Sequence, residues 1–221
     1  MLREINIDEI SDGKRYKAGD MAKIDCNDCA GCSYCCHAMC DTIILDPYDI
    51  YMLEKAVKKS FEALIANELE LNVEEGLILP NIRMQPQTEG CGFLSTEGRC
   101  TVHDFRPGFC RLFPLGRIYE NDSFTYFIQK DECPYPSKSK VKIKKWLGIE
   151  NLPEYERYIL HYHNLCKKLI KGFSEDSSDS AIKSANMLFL NTLFVPDYDT
   201  EASFYEQYYL RCETLSSLNL C

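Results

Sequence analysis

The sequence predicts an α+β fold in which a small cysteine-rich core with short β-hairpins precedes a C-terminal helical element. β-branched and aromatic residues around turn residues predict the hairpins, between residues 91 and 129. From about Lys138 onward, apolar residues recur at helical spacing. Six cysteines fall within the fifteen residues 26–40, more than core packing explains. We therefore divide the chain into a cysteine-cluster domain, 1–137, and a helical extension packed on it, 138–221.

Cap and breaker residues predict the first elements. A short strand over Thr42–Leu45 leads into a helix with Asp46 at its N-cap and Pro47 at its first position. Ser60 is placed to cap a second helix. The stretch LILPNIRM, 77–84, predicts a strand because its apolar residues are flanked by turn residues.

Two hairpins are predicted in the middle of the chain. Residues 91–103 are expected to turn at SerThrGluGly, where Gly98 can adopt a positive φ. Residues 116–129 carry aromatic and β-branched arms around a polar turn. Between these hairpins, Pro107 can begin a helical turn over residues 106–113.

The C-terminal part is predicted to form three or four helices. The first is expected in KVKIKKWLG, and the next, from Pro153 to Phe173, carries an apolar stripe at helical spacing. That stripe consists of Tyr155, Tyr158, Ile159, Tyr162, Leu165 and Leu169. Two further helices are expected after the polar break SEDSSDS.

Composition and charge exclude several classes of protein. The formal charge of −9 argues against nucleic-acid binding, which requires a basic face. The first twenty residues lack the apolar run of an export signal, and no stretch reaches the roughly 18 apolar residues of a membrane span. We therefore predict a cytoplasmic protein that binds neither nucleic acid nor a membrane.

The thirteen cysteines need an explanation in a reducing compartment, where stable disulfides are rare. Cys166, Cys212 and Cys221 are isolated in the sequence and suit small buried apolar side chains. The crowded segment Cys26–Cys40 does not, so metal ligation or redox chemistry is the better explanation.

The spacing of the first cysteine group favours an iron–sulfur centre over zinc. Each Cys-x-x-Cys pair lets two thiolates of one turn bind one ion, as in structural zinc sites. The register Cys26-x2-Cys29-x2-Cys32-x3-Cys36 also reproduces the bacterial ferredoxin spacing, with His37 in the place of the proline. The radical-SAM spacing is absent, and the crowding argues against a thioredoxin-like pair.

The adjacent thiols of Cys35 and Cys36 bear on the number of metal positions. In extended backbone, successive side chains point to opposite sides. We therefore expect this pair to serve two sites, or one site and the core. Together with the number of cysteines, this favours two metal positions or one multinuclear cluster.

A second cysteine group follows between residues 91 and 133. Cys91 and Cys100 flank the first predicted hairpin, so both can reach one ion. Cys110 follows the Arg106-Pro107 pair, and Cys133 precedes a proline. We infer that this group converges with the first.

The two groups together resemble a known family. CAGCSYCC at 29–36, CGFLSTEGRCTVHDFRPGFCRLFP at 91–114 and Cys133-Pro134 are similar to the YkgJ-like CxxCxxCC cysteine-cluster proteins, described as zinc- or iron-chelating. The resemblance covers about residues 20–135. It implies the ligand set Cys29, Cys32, Cys35, Cys36, Cys91, Cys100, Cys110 and Cys133, with Cys26 and Cys40 as additions. Flagellin lysine N-methylases form a longer, distantly related group with a different first motif.

Several other side chains near the cysteines have two interpretations. His37 and His103 can bind a metal or hydrogen-bond a sulfur, whereas His161 and His163 are expected to be structural. Arg106 and Arg111, which flank Cys110, can offset thiolate charge or pair with carboxylates. The lysines at 138, 140, 142, 144 and 145 are expected to form a solvated face.

We therefore predict a metal-binding protein that holds an iron–sulfur cluster, such as [4Fe–4S], or two metal sites through both cysteine groups. Its role would be redox or cluster-dependent. A structural zinc module that presents its helices to a protein partner is one alternative. A protein-modifying enzyme such as a lysine N-methyltransferase is another, although the sequence identifies no catalytic residue.

Overall fold

The computed structural model describes residues 6–39, 42–174 and 178–217. The helices in this part are α1 (Ile7–Ile10), α2 (Cys35–Ala38), α3 (Pro47–Val57), α4 (Phe61–Asn67), α5 (Gly108–Leu112), α6 (Ile143–Leu147), α7 (Leu152–Ser174), α8 (Asp179–Leu193) and α9 (Phe204–Ser217). The predicted α+β class is confirmed: short strands and helices come first, and the longest helices come last. No helix in the described ranges is long and apolar enough to cross a membrane.

The strands form antiparallel pairs. They are β1 (Met21–Asp25), β2 (Leu69–Glu74), β3 (Leu77–Ile82), β4 (Leu115–Glu120), β5 (Ser123–Ile128) and β6 (Ser139–Lys142). β2 pairs with β3 and β4 with β5 as hairpins, whereas β1 pairs with the distant β6. The β4–β5 hairpin confirms the second of the two predicted hairpins, 116–129, and residues 121 and 122 of its turn have positive φ.

The predicted helix starts are confirmed where a cap residue defines them. Asp46 accepts a hydrogen bond from the backbone N–H of Asp49, and the Asp49 side chain accepts one from the backbone N–H of Asp46, which completes a capping box at α3. Ser60 caps α4 through the backbone of Ala63. Pro107 stands directly before α5, as predicted.

The apolar core runs continuously from the cysteine-rich part into the C-terminal helices. The stripe predicted on α7 is buried along its whole length, which confirms its helical spacing. Tyr158 at its centre packs edge-on against Tyr208 of α9, with ring centroids 4.7 Å apart. Its hydroxyl donates to Asp46 at 2.9 Å and thereby ties α7 to the start of α3.

Asn186 joins α8 to the β2–β3 hairpin through buried hydrogen bonds. Its side-chain oxygen accepts from Ile78 N at 2.7 Å, and its amide donates to Gly76 O at 2.8 Å. Replacing Asn186 with alanine leaves both backbone groups without these partners, so we expect a loss of about 2–4 kcal/mol in the free energy of unfolding. Urea titration measures it, and Asn191→Ala on an exposed part of α8 should change stability by less than about 0.5 kcal/mol.

Glu54 on α3 makes stability depend on pH. Burial, and to a lesser degree the charge of Asp197, raises its pKa from about 4.5 to about 7, although the backbone of Tyr198 donates to it. The folded protein therefore holds this proton more tightly than the unfolded chain does. Protonated Glu54 therefore contributes fully to stability below pH 4.5, and this contribution is lost as pH rises through 7.

Glu54→Gln should remove this loss. Relative to the original protein, the variant is expected to gain about 1–2 kcal/mol of stability between about pH 5.5 and 8. Denaturant titrations of both proteins across that pH range measure the difference. A difference that does not change with pH would contradict the burial of an ionising Glu54.

Three predictions about local structure are wrong. Ser139–Lys142 is strand β6 and not helix, because Lys140 and Lys142 alternate with Val141 at the strand period. The strand expected over Thr42–Leu45 is reduced to a bridge between Ile44 and Asn81. Pro80 of β3 has no N–H to donate, which limits the backbone ladder there.

The third is the hairpin expected over residues 91–103. Its turn forms, with Gly98 at φ +72°, but the pairing across it is short: it ends at the bridge between Leu94 and Cys100 and the hydrogen bond from Thr101 N–H to the carbonyl of Phe93. Cys91 does not pair within this hairpin. It forms an isolated β-bridge with Met84, and its N–H donates to the carbonyl of Cys36 at 2.7 Å. The strand β2 was not predicted.

The domain boundary at residue 137 stays a prediction.

Candidate metal centre

Nine of the ten predicted ligands lie around two adjoining cavities. The tenth, Cys40, lies outside the described residues. Cys26 directly follows β1, and Cys29 and Cys32 lie in the irregular loop after it. Cys35 and Cys36 open α2, and Cys110 lies in α5. The remaining three, Cys91, Cys100 and Cys133, lie in connecting segments.

The larger cavity has a volume of about 60 Å³ and is lined by seven cysteines. These are Cys29, Cys32, Cys35, Cys36, Cys91, Cys100 and Cys110. A water-sized sphere needs roughly 10–15 Å³, so the space accommodates a group of several atoms. The inferred convergence of the two cysteine groups therefore holds in the structure.

The smaller cavity has a volume of about 20 Å³ and shares lining residues with the larger one. Cys26 and Cys133 line it and do not line the larger one. Cys29, Cys32 and Cys35 line both cavities and form the partition between them. This volume holds one or two water-sized spheres.

The walls between the sulfurs are apolar. Met39, Phe93 and Phe109 line the larger cavity, while Phe113 and Trp146 line both. The Trp146 indole donates to the carbonyl of Phe113 at 3.2 Å, which fixes its ring at the boundary. Such walls keep the local dielectric low and strengthen charge interactions at the thiols. Trp146 was not predicted as part of the site, because it lies in the helical part of the sequence.

A left-handed turn brings Cys26 and Cys29 together. Asn27, Asp28 and Cys29 all have φ between +51° and +57°, an unfavourable conformation for a cysteine. The turn is held by a backbone hydrogen bond from Ala30 to Asn27 and by Arg99, whose guanidinium donates to the carbonyl of Cys29 at 3.1 Å. As a result, the sulfurs of Cys26 and Cys29 are 3.6 Å apart.

The expectation for Cys35 and Cys36 was wrong in its premise. The pair lies in helix α2 and not in extended backbone, so the two side chains are not opposed. Both thiols line the larger cavity. The interaction with Cys36, together with burial, raises the pKa of Cys35.

Cys91, Cys100 and Cys110, which line the larger cavity, resist ionisation in the absence of a cation. Burial, with smaller effects from the charges of Cys100 and Cys35, raises the pKa of Cys91 to about 11. Burial likewise raises the pKa of Cys100 and Cys110, and the charges of neighbouring thiolates oppose ionisation further. Because metal ligation needs thiolates, binding there displaces protons and supplies the missing positive charge.

Cys26 differs from these thiols. A hydrogen bond from Cys29 lowers the pKa of Cys26 to about 6, more than burial raises it. The same interaction raises the pKa of Cys29, so one proton is shared between the two sulfurs. Cys26 is only 3 % exposed.

The cationic and imidazole side chains divide into two groups. His103 and Arg106 line the larger cavity, whereas His37 packs against Gly90 at the surface. Burial and the charge of Arg106 lower the pKa of His103, which favours the neutral, metal-binding form. Arg111 lies away from the cavity and donates to the carbonyls of Asp104 and Leu147.

Arg106 fits both interpretations made from the sequence, because it faces the thiols and lies 3.7 Å from a carboxylate oxygen of Asp28. Arg99 also lines the larger cavity. It was missed, although its position directly before Cys100 could have indicated it. His161 contacts Tyr208 of α9 and His163 stacks on Tyr119 of β4, and neither histidine lines a cavity.

The described cysteines carry no disulfide. Among the described Cys, His, Asp and Glu side chains, no three are grouped tightly enough to enclose a single ion. The sulfurs instead line the walls of the two cavities. The donor set is nevertheless chemically suited to thiophilic metals, because thiolates select zinc and iron–sulfur clusters.

Thiols that converge in a cysteine-rich α+β fold are typical of metal-chelating proteins. Residues 28–134 match the family model of the CxxCxxCC domain, described as a "putative zinc- or iron-chelating domain". This segment of the chain belongs to that family, as the sequence resemblance implied. No curated protein and no solved structure matches the chain.

Proposed function

We propose that the larger cavity holds an iron–sulfur cluster and that the protein serves electron transfer or redox sensing. The observation that carries this proposal is the cavity itself, about 60 Å³ in volume and lined by seven cysteines. A single tetrahedral ion needs four thiolates at about 2.3 Å and leaves no such space. A multinuclear cluster uses both the number of sulfurs and the volume.

The surrounding residues suit a charged, redox-active group. The cluster, when bound, supplies one-electron transfer. Arg99 and Arg106 place two guanidinium groups at the cavity, where they offset thiolate charge. Phe93, Phe109 and Phe113 give the cavity apolar walls. Both features set a reduction potential, because hydrogen bonding, charge and solvent exposure are the main controls on it.

Anaerobic purification followed by metal and acid-labile sulfide analysis tests this proposal. We expect iron and sulfide in equal amounts, about four of each per chain for a cubane. Broad visible absorbance that bleaches with dithionite should accompany them. Zinc without iron or sulfide would overturn the proposal and favour a structural zinc module. Folded protein without any metal would overturn both.

A further inference from the structure

We propose that a group of exposed lysines on β1, β6 and α6 is a docking surface for a small acidic protein that carries single electrons. The inference rests on the proposed function, because such a partner needs a redox-active group in the neighbouring cavity. All the lysines of this surface have exposed side chains. This lysine face consists of Lys23, Lys140, Lys142, Lys144 and Lys145.

The register of the β1–β6 pair places like charges side by side. Lys23 lies opposite Lys140, and Met21 lies opposite Lys142, so all four side chains share one face of this two-stranded sheet. That face is exposed, whereas Ala22 is buried on the opposite face. Like charges directly opposite each other destabilise a sheet. The stability of the β1–β6 pair therefore does not explain the lysines, and carboxylates of a partner would offset their repulsion.

The positive charge of the lysine face is not balanced by its neighbours. Residues 20–25 and 138–145 contain six lysines and two aspartates, a formal charge of +4 in a chain whose total is −9. Asp20 accepts a hydrogen bond from a backbone N–H, and Asp25 accepts from Ser139 and from a backbone N–H. Within residues 6–39, 42–174 and 178–217, no lysine of the face forms an ion pair. These charges are therefore available to a partner.

The lysine face borders an aromatic group at the smaller cavity. Trp146 directly follows Lys145 in α6, is half-buried and lines both cavities. Tyr34 and Tyr135 line the smaller cavity, and Tyr34 is 50 % exposed. Aromatic side chains next to a charged rim are typical of protein–protein interfaces. A partner seated on the lysines would therefore lie beside the aromatic ring that reaches the larger cavity.

The overall charge of the chain favours a small acidic protein over an extended polyanion. Screening limits interactions between exposed charges to roughly 10 Å at about 0.1 M salt. A small partner therefore senses mainly the lysine face. Nucleic acid or an anionic membrane extends past it and meets the rest of the chain, which is net negative.

The position of the face beside the cavities makes an electron carrier the fitting occupant. Electron-transfer complexes are small and transient, and complementary charge speeds their formation. In such a complex one electron passes between the redox group of the carrier and the group held in the larger cavity. One protein is oxidised as the other is reduced, and no bond forms or breaks.

Binding to an acidic flavodoxin, a small flavin protein, tests the lysine face. In calorimetric titrations of the anaerobically purified protein at about 20 mM salt, we expect a dissociation constant below about 100 µM that rises at least about tenfold at about 200 mM salt. Lys140→Glu with Lys142→Glu should weaken binding at least about tenfold at the lower salt concentration. Because Lys140→Glu places a carboxylate opposite Lys23, the change favours the β1–β6 pair, and weaker binding does not report unfolding.

Lys168→Glu with Lys183→Glu is the matched control. It changes the net charge by the same amount at exposed positions of α7 and α8. Its dissociation constant for flavodoxin should stay within about threefold of the original value, because screening confines the interaction to nearby charges. Electron transfer is measured by mixing the dithionite-reduced protein with oxidised flavodoxin, and its rate at low salt should fall at least about tenfold only in the Lys140→Glu, Lys142→Glu variant.

Each other outcome identifies a different error. Absence of flavodoxin binding at low salt, or equal loss in both double variants, would overturn the lysine face. Equally tight binding of a single-stranded oligonucleotide or of phosphatidylserine vesicles would overturn its assignment to a protein partner. Binding without electron transfer by iron-loaded protein would overturn the choice of an electron carrier. Salt-dependent binding by protein that lacks iron would instead contradict only the proposed cluster.

Discussion

Cys110→Ser is expected to abolish the visible absorbance and to lower iron and sulfide at least about tenfold. Cys110 lies in α5 and faces the larger cavity, where Cys35, Cys91 and Cys100 are its nearest thiol charges. The interaction with Cys36, together with burial, raises the pKa of Cys35, and burial raises the pKa of Cys91 and Cys100, so a bound cation makes their ionised state favourable. A serine hydroxyl does not replace a thiolate as a ligand, because soft sulfur donors are what iron–sulfur clusters require.

The matched control is Cys166→Ser. Cys166 is buried on α7 but lines neither cavity. The iron and sulfide content and the visible absorbance of the Cys166→Ser protein should remain within about 20 % of the original values, even though a buried hydroxyl costs about 1–2 kcal/mol of stability. Full iron and sulfide content in Cys110→Ser would contradict the assignment of the cluster to the larger cavity.

Local signals explain which parts of the fold could be predicted from the sequence. The start of α3 at Asp46 and Pro47 depends on a capping box whose residues are three apart, so it is visible in the sequence. The apolar stripe of α7 has a strict helical period. Strand β6 was missed because its identity depends on pairing with β1, more than a hundred residues away.

The same limit applies to the metal centre. Cysteine spacing indicated that Cys29, Cys32, Cys35 and Cys36 act together, since each step is a turn or less of chain. The division of the thiols between two cavities depends instead on the β1–β6 pairing and on α2, neither of which the spacing shows. Trp146 reaches the site only because α6 follows β6 directly.

Gly108 shows how tightly the core holds the segment that carries Cys110. A Cβ atom at Gly108 would lie 2.5 Å from the hydroxyl oxygen of Tyr155. Tyr155 is fully buried on α7, and its ring packs against Tyr48 with centroids 5.3 Å apart, so it cannot move away cheaply. The Gly108 N–H also donates to the buried Asp49 carboxylate at 2.6 Å, which holds the backbone in place.

Gly108→Ala is therefore expected to lower the free energy of unfolding by about 1–3 kcal/mol, as overpacking in a core does. Iron content should fall as well, because relief of the clash displaces α5 and Cys110 with it. Anaerobic urea titration and iron analysis measure the two effects. Gly172→Ala is the matched control: a methyl group there meets no described atom within 4 Å. Alanine in the exposed helix should raise stability by about 0.5–1 kcal/mol.

Both substitutions replace a helical glycine by alanine, so helix propensity alone would raise stability in both. The expected loss of stability in Gly108→Ala therefore reports packing. Tyr155→Phe in the Gly108→Ala background removes the clashing hydroxyl, and the next ring atom lies 3.8 Å from where the alanine methyl carbon would stand. It also removes a 3.3 Å hydrogen bond from the charged Arg117, at a cost of about 1.5–3 kcal/mol. Recovery of iron in this double variant would show that Tyr155 limits the position of the Cys110 helix. Continued loss of iron would instead place the requirement for glycine in the backbone of α5.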